Sequence, residues 1–475
     1  TPPPPPQAER IEITSLDQLP QHTYPVDGTA SSLFADDAAF AAFAAAVRED
    51  LEHDLATYQL DDAATLKSWY GTLANLAMLD GRWDDVRRYL ARSRALETKD
   101  AARITAGQVG EALALAHEQT GAESDTPELR RVFREELARR VAAWPWDVVQ
   151  DEVESRKGRA EYLSANLIAG AVQMQFDPVV ARSGELGSDL ARSLVSMKTA
   201  ERMILPLKDE LRSVYADYIA ANAVAKADIW AERDLALTDD GSLAPVMIGI
   251  WDSGVDVAAF PGQVFVNAAE TVDGRDDDGN GFVDDVHGVA FDRDGRDSID
   301  LLHPAEDQAG RLDELREFTR GFMDLQSNVD SPQAASVRQT MSTLQPEETE
   351  RIMVGLSFYG LYAHGTHVAG IALAGNPVAS VLPARITFDY RNPPQAMTMD
   401  IARRHAQSYR RTAEYFTAHG VRVVNMSWGW TFKEIESSLE ANGVGEGPEE
   451  RAAMAREMIG VLSDGLREAM ASTPD

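Results

Sequence analysis

The sequence predicts two domains in series, a mainly α-helical one followed by an α/β one built on a mostly parallel sheet. Three observations carry this. Residues from about 31 to 239 are rich in Ala, Leu, Arg and Glu, with apolar side chains three and four apart. After about 240, short continuous apolar runs take over, as expected of strands buried on both faces. Helical patterns separate those runs, and alternating strand and helix implies parallel pairing with helices on the sheet faces.

The 475 residues are enough for two or three domains. The chain carries 77 acidic against 45 basic residues, a formal charge of −32. That field repels a phosphate backbone, so nucleic acid is not an expected partner. No run reaches the roughly 18 apolar residues that a membrane span needs. The absence of Cys excludes disulfides, thiolate metal sites and a Cys nucleophile.

Residues 1–30 begin at Thr1 with the Pro2–Pro6 run and read as an extended, Pro-rich arm of polyproline character behind a trimmed N-terminus. Residues 31–240 form the helical domain, with spacing such as Phe40, Phe43, Val47, Leu51 and Leu55. Within it, Trp69, Leu73, Leu76 and Leu79 precede an Asp80-Gly81 break, and Val86, Tyr89, Leu90 and Leu96 follow. This resembles one helical hairpin of the tetratricopeptide type. With no second copy at that period, a hairpin inside a bundle is expected rather than a solenoid.

Asp239-Asp240-Gly241 marks a turn, and the α/β domain, residues 241–475, starts there. Its predicted strands are Val246–Trp251, Arg385–Tyr390 and Val421–Met426, with a helix over Thr398–His419. Residues 298–360 read as a long helical insertion.

Three segments of this domain carry chemistry. Asp252-Ser253-Gly254-Val255 ends the first strand. His364-Gly365-Thr366-His367-Val368-Ala369-Gly370 is expected to open a helix. Val424-Asn425-Met426-Ser427-Trp428-Gly429 ends another strand. In open α/β sheets reactive groups gather at the carboxyl ends of strands. A buried carboxylate beside an imidazole fixes its tautomer and stabilises the imidazolium.

In order and context these segments resemble the Asp, His and substrate-strand motifs of the subtilases, the subtilisin-like S8-type serine peptidases. The resemblance covers about residues 244–475. It implies a subtilisin-like, mostly parallel sheet, endopeptidase chemistry through an acyl-enzyme without a catalytic cofactor, and a polypeptide substrate. It assigns Asp252 and His364 to the catalytic triad. It also gives Ser427, Trp428 and Gly429 the substrate edge, where an extended peptide adds as a strand. Family habit suggests an extracytoplasmic, secreted or periplasmic bacterial location.

The family's oxyanion Asn segment and its Gly-Thr-Ser-Met-Ala segment are not found in these residues. The favoured expectation is that the sequence stops ahead of the Ser segment, and that a complementary chain, such as one made by cleavage after Asp475, supplies it. A sheet ending there leaves apolar faces unpaired. The rival reading is an inactive scaffold that recruits partners through its helical half.

A second motif follows the first strand. In Asp273–Asp285, the residues Asp276, Asp278, Asn280 and Asp284 fall at positions 1, 3, 5 and 9 of an EF-hand-like loop, with Gly281 at position 6. Oxygen ligands at this spacing suit a structural Ca2+. His287 at position 12 keeps the loop from being a complete EF-hand, although many subtilases carry a similar stretch after the catalytic Asp.

Overall fold

Apolar spacing in the first half folds as predicted into helices, which bury the hydrophobic stripe against one another. The computed structural model describes residues 10–13, 16–122, 125–222, 236–238 and 241–473. The Pro2–Pro6 run, Asp239-Asp240 and Pro474-Asp475 lie outside the described residues. The chain divides into two units, one of residues 1–225 with 317–350, the other of residues 226–316 with 351–475.

In the first unit, helices Ala63–Leu79 and Trp83–Ala95 form the expected hairpin. Asp62 caps the first helix by accepting from the Thr65 amide, and Gly81, at φ +69°, makes the turn. Leu73, Leu76, Val86 and Tyr89 are buried. The stretch expected to be an extended arm is partly tied down. Ile11–Ile13 pairs in parallel with Tyr58–Leu60, and Thr23–Pro25 pairs antiparallel with Glu185–Gly187.

The segment expected as an insertion in the α/β domain contributes residues 317–350 to the helical unit instead. The reason is local fit. Arg338 Nε reaches Glu161 Oε2 at 2.8 Å, and the Asn166 side-chain amide donates to Leu344 O at 2.8 Å. Gly170 leaves room where a Cβ would lie 2.1 Å from Thr349 Oγ1.

The second unit is built on one five-stranded sheet. Its elements are β1 (Val246–Asp252), β2 (Val289–Phe291), β3 (Asp297–Ser298), helix α1 (Pro346–Leu373, whose first turn falls in the other unit), β4 (Ala379–Ile386), α2 (Met399–Ala418), β5 (Val423–Met426), α3 (Phe432–Ala441) and α4 (Pro448–Ala471). The strand order is β3-β2-β4-β1-β5. All pairs are parallel except β2–β3, so the sheet is mixed.

The strand predicted over Arg385–Tyr390 is shifted. It runs from Ala379 to Ile386, with Pro383 inside it. Alternation along β1 sends successive side chains to opposite faces. Ile250 packs against Ala369 and Leu373 of α1, while Trp251 joins the core formed with α2, α3 and α4. Thr398 caps α2, and a Thr431–Glu434 capping box starts α3. No described helix is long and apolar enough to cross a membrane.

Candidate active site

Asp252 is the last residue of β1, and the sheet buries it to 2% exposure. Its Oδ1 lies 2.7 Å from His364 Nδ1, and the imidazole is 48% exposed. Sequence reasoning thus named two residues 112 positions apart that the fold brings into contact. A buried carboxylate accepting from Nδ1–H leaves Nε2 as the free basic nitrogen on the accessible side of the ring.

The surroundings explain how the pair is held. Asp252 Oδ1 also accepts from the Ser253 amide at 2.7 Å. Ser253 Oγ donates to Leu361 O at 2.6 Å, and the Asp256 amide donates to Thr366 Oγ1 at 2.9 Å. These bonds pin the turn after β1 to the helix that carries the imidazole. Gly365 permits the close approach, since a Cβ there would lie 2.2 Å from Gly254 O and 3.1 Å from Asp252 Cβ. The second carboxylate oxygen, Oδ2, is buried with no hydrogen-bond partner among the described residues.

His364 does not open a helix, as the motif suggested. It lies well inside α1, because the turns before it are anchored by Phe358, which is fully buried against Leu315 and Tyr390. The partial positive charge of a helix N-terminus therefore does not act on this ring. Asp252 is its charged partner.

Other histidines of this unit are of a different kind. His405 Nε2 meets Arg293 O at 3.1 Å and His303 Nε2 meets Phe388 O at 3.1 Å. Burial lowers the pKa of both, so they are held neutral against backbone carbonyls.

The predicted substrate edge follows β5. Ser427 and Gly429 are exposed, and Ser427 Oγ donates to Asn425 Oδ1 at 2.9 Å. The Trp428 ring turns inward instead, 5.1 Å from the Trp251 ring and 5.2 Å from that of Tyr409. Only its backbone is left for the edge. β5 pairs with β1 on one side, and its Val423 and Val424 are 57% and 38% exposed.

The acidic loop is organised differently from an EF-hand. Asp276 accepts from the amides of Gly279, Asn280 and Gly281, and Asp284 accepts from those of Asp273 and Gly274. Both are occupied in shaping their own turns, and Asn280 Oδ1 is taken by the Phe282 amide. The carboxylates that converge are Glu270, Asp278 and Asp285. Of these, sequence spacing named only Asp278. Asp285 stood beside a chosen residue, and the signal for it was the Asp284-Asp285 doublet. Nothing in the local pattern marked Glu270.

Comparison with known families gives one result. The subtilase family, the S8 peptidases, matches residues 244–465, just under half of the chain. Neither the curated proteins nor the solved structures give a match.

Proposed function

Because residues 244–465 belong to the subtilase family, whose members are serine peptidases, we propose that this protein is an endopeptidase whose triad draws Asp252 and His364 from these residues. The nucleophilic serine comes from a polypeptide segment outside the 475 residues. The observation that carries the reading is the 2.7 Å contact between a buried Asp252 carboxylate and a half-exposed His364 imidazole.

The chemistry follows from that contact. Asp252 holds His364 with its proton on Nδ1, so Nε2 accepts the serine proton as the hydroxyl attacks the peptide carbonyl. The imidazolium is stabilised by the adjacent carboxylate, and it then protonates the leaving amine. Water repeats the sequence in reverse to release the acyl group. The substrate backbone lies along Ser427–Gly429 as an added strand.

The open side of β5 supports completion by a further segment. An edge carrying Val423 and Val424 in solvent offers unpaired backbone groups and apolar side chains together. A complementary chain that covers it and brings the serine accounts for both features. Hydrolysis of this kind suits an extracytoplasmic protein.

A fluorophosphonate probe applied to the protein isolated from its source tests the proposal. A labelled serine is expected in a segment joined to, or co-purifying with, these residues, and none within them. Labelling is lost in His364→Ala. Absence of any labelled serine in such material favours the inactive scaffold and removes the peptidase reading.

A further inference from the structure

A buried cation of the second unit has no part in the chemistry described so far. Arg385 lies on β4 as the register partner of Asp252 on β1, and it is 1% exposed. Burial draws its pKa down to about 10, which still leaves a cation at neutral pH, and the carboxylates of Asp300 and Asp292 favour that charge. Its Nη1 donates to Leu302 O at 2.8 Å, while Nε is buried with no hydrogen-bond partner among the described residues. Sealing a guanidinium is costly, and for packing alone an apolar side chain of similar volume serves as well or better.

The carbonyl that Arg385 holds belongs to a segment stacked on the turn after β1. Leu301 O accepts from the Val255 amide at 2.8 Å. Gly254, at φ +135°, comes so close that a Cβ there would lie 2.6 Å from His303 N and 2.9 Å from Leu301 O. Gly254 O in turn abuts Gly365, the neighbour of His364. His303 fastens the far end of the segment. Its Nε2 meets Phe388 O at 3.1 Å, and its ring lies 6.0 Å from that of Phe358 on α1, edge to face. Arg385, residues 301–303, the turn after Asp252 and the helix carrying His364 are thus successive layers. Packing this tight passes a displacement of one layer on to the next.

We propose that Arg385 is a positioning residue for the Asp252–His364 pair: through Leu302 it holds residues 301–303 against the turn after β1, and so fixes the approach of the carboxylate to the imidazole. It acts through that segment, not on the reacting atoms. The 2.7 Å contact between Asp252 and His364 Nδ1 requires that the turn and α1 keep their spacing. A misplacement of about 1 Å in such a constellation costs about 10²-fold in rate. The kinetic consequence rests on the peptidase reading; the geometric one does not.

The tautomer of His364 supplies the test, because the ring nitrogen shifts of isotope-labelled histidine in NMR show which nitrogen carries the proton. The 475-residue chain is expected to hold it on Nδ1. Arg385→Met fills similar space without the donor, and is expected to move the ring toward the Nε2–H form that imidazole prefers in water. Arg385→Lys, which keeps a charged donor, retains the parent tautomer. So does Ile386→Val, a core change at the next position on β4. In a polypeptide that includes the nucleophile, Arg385→Met lowers kcat by about 10–100-fold with KM within about twofold, and Arg385→Lys stays within about threefold of the parent. An unchanged tautomer in Arg385→Met overturns the proposal, as does an equal shift in Ile386→Val or a loss carried by KM alone. Should Arg385→Met not fold, Arg385→Gln, too short to reach Leu302 O, is read in its place. Failure of both to fold makes Arg385 a support of the core and refutes positioning. A parent that hydrolyses nothing removes the peptidase reading, and the tautomer then decides for Arg385 alone.

Discussion

Strands β1 and β5 lie side by side and are built from similar apolar residues, yet they live in different surroundings. β1 has β4 on one side and β5 on the other, and Ile250 and Trp251 are buried on opposite faces. Among the described residues β5 pairs with β1 alone, and its Val423 is 57% exposed. The residues that follow repeat the contrast. Asp252 is sealed and bonded to an imidazole, whereas Ser427 and Gly429 stand in solvent. Burial in a sheet is thus decided by what flanks a strand as much as by its own side chains, and an apolar run at an edge is a template for further pairing.

The largest effect should come from the sealed end. In a polypeptide that includes the nucleophile, Asp252→Asn is expected to lower kcat by about 10⁴-fold, since the imidazole loses its tautomer control. A peptide-hydrolysis assay reads this directly, and near-normal turnover would detach the pair from catalysis. Next is the body of the central strand. Ile250→Ala should cost about 2–5 kcal/mol by urea unfolding, the range for a deleted core side chain. A cost under that range would mean that β1 is less enclosed than its 0% exposure implies.

A smaller effect concerns pH. Burial lowers the pKa of His405 and His303, so the unfolded chain takes up their protons more readily than the folded one. Stability increases with pH wherever the unfolded state binds more protons, so this contribution is complete above about pH 6.5 and declines as the pH falls from there toward the folded values. The slope is at most about 1.4 kcal/mol per pH unit for each histidine. His405→Gln should flatten it, which urea midpoints at neutral and mildly acidic pH will register. The smallest effect belongs to the edge. Val423→Lys in the 475-residue chain should change stability by no more than about 0.5 kcal/mol, as at an ordinary surface position. The same substitution should become distinctly more costly once a complementary segment covers β5, and equal costs in both states would argue against such a cover.

The parts of this molecule that were legible in the sequence are those with a long or periodic signal. The helices of the first unit follow from apolar spacing, and seven consecutive residues around His364 identified its contact with Asp252. The shifted strand shows one reason for failure. Pro383 inside β4 reads as a breaker, yet β4 accepts it as the ladder partner of Ile250. Strands of three residues, such as Thr23–Pro25 and Glu185–Gly187, are too short to display a period and were invisible. The start of α1 was misplaced because the seven-residue segment from His364 was expected to open a helix, while Phe358 secures the preceding turns. Glu270 was missed because its approach to Asp278 and Asp285 depends on a loop folding back, which no local spacing encodes.

One consequence follows from the return of residues 317–350 to the helical unit. That unit is discontinuous in the chain, so its final packing must wait until the ribosome has released about residue 350, after β1 has already emerged. Excising residues 1–225 would strip Arg338 and Leu344 of their partners Glu161 and Asn166. A proteolytic nick between 316 and 317 would interrupt helix Leu312–Gln326, in the middle of a segment that both units require. The two units are therefore a single obligation in biosynthesis.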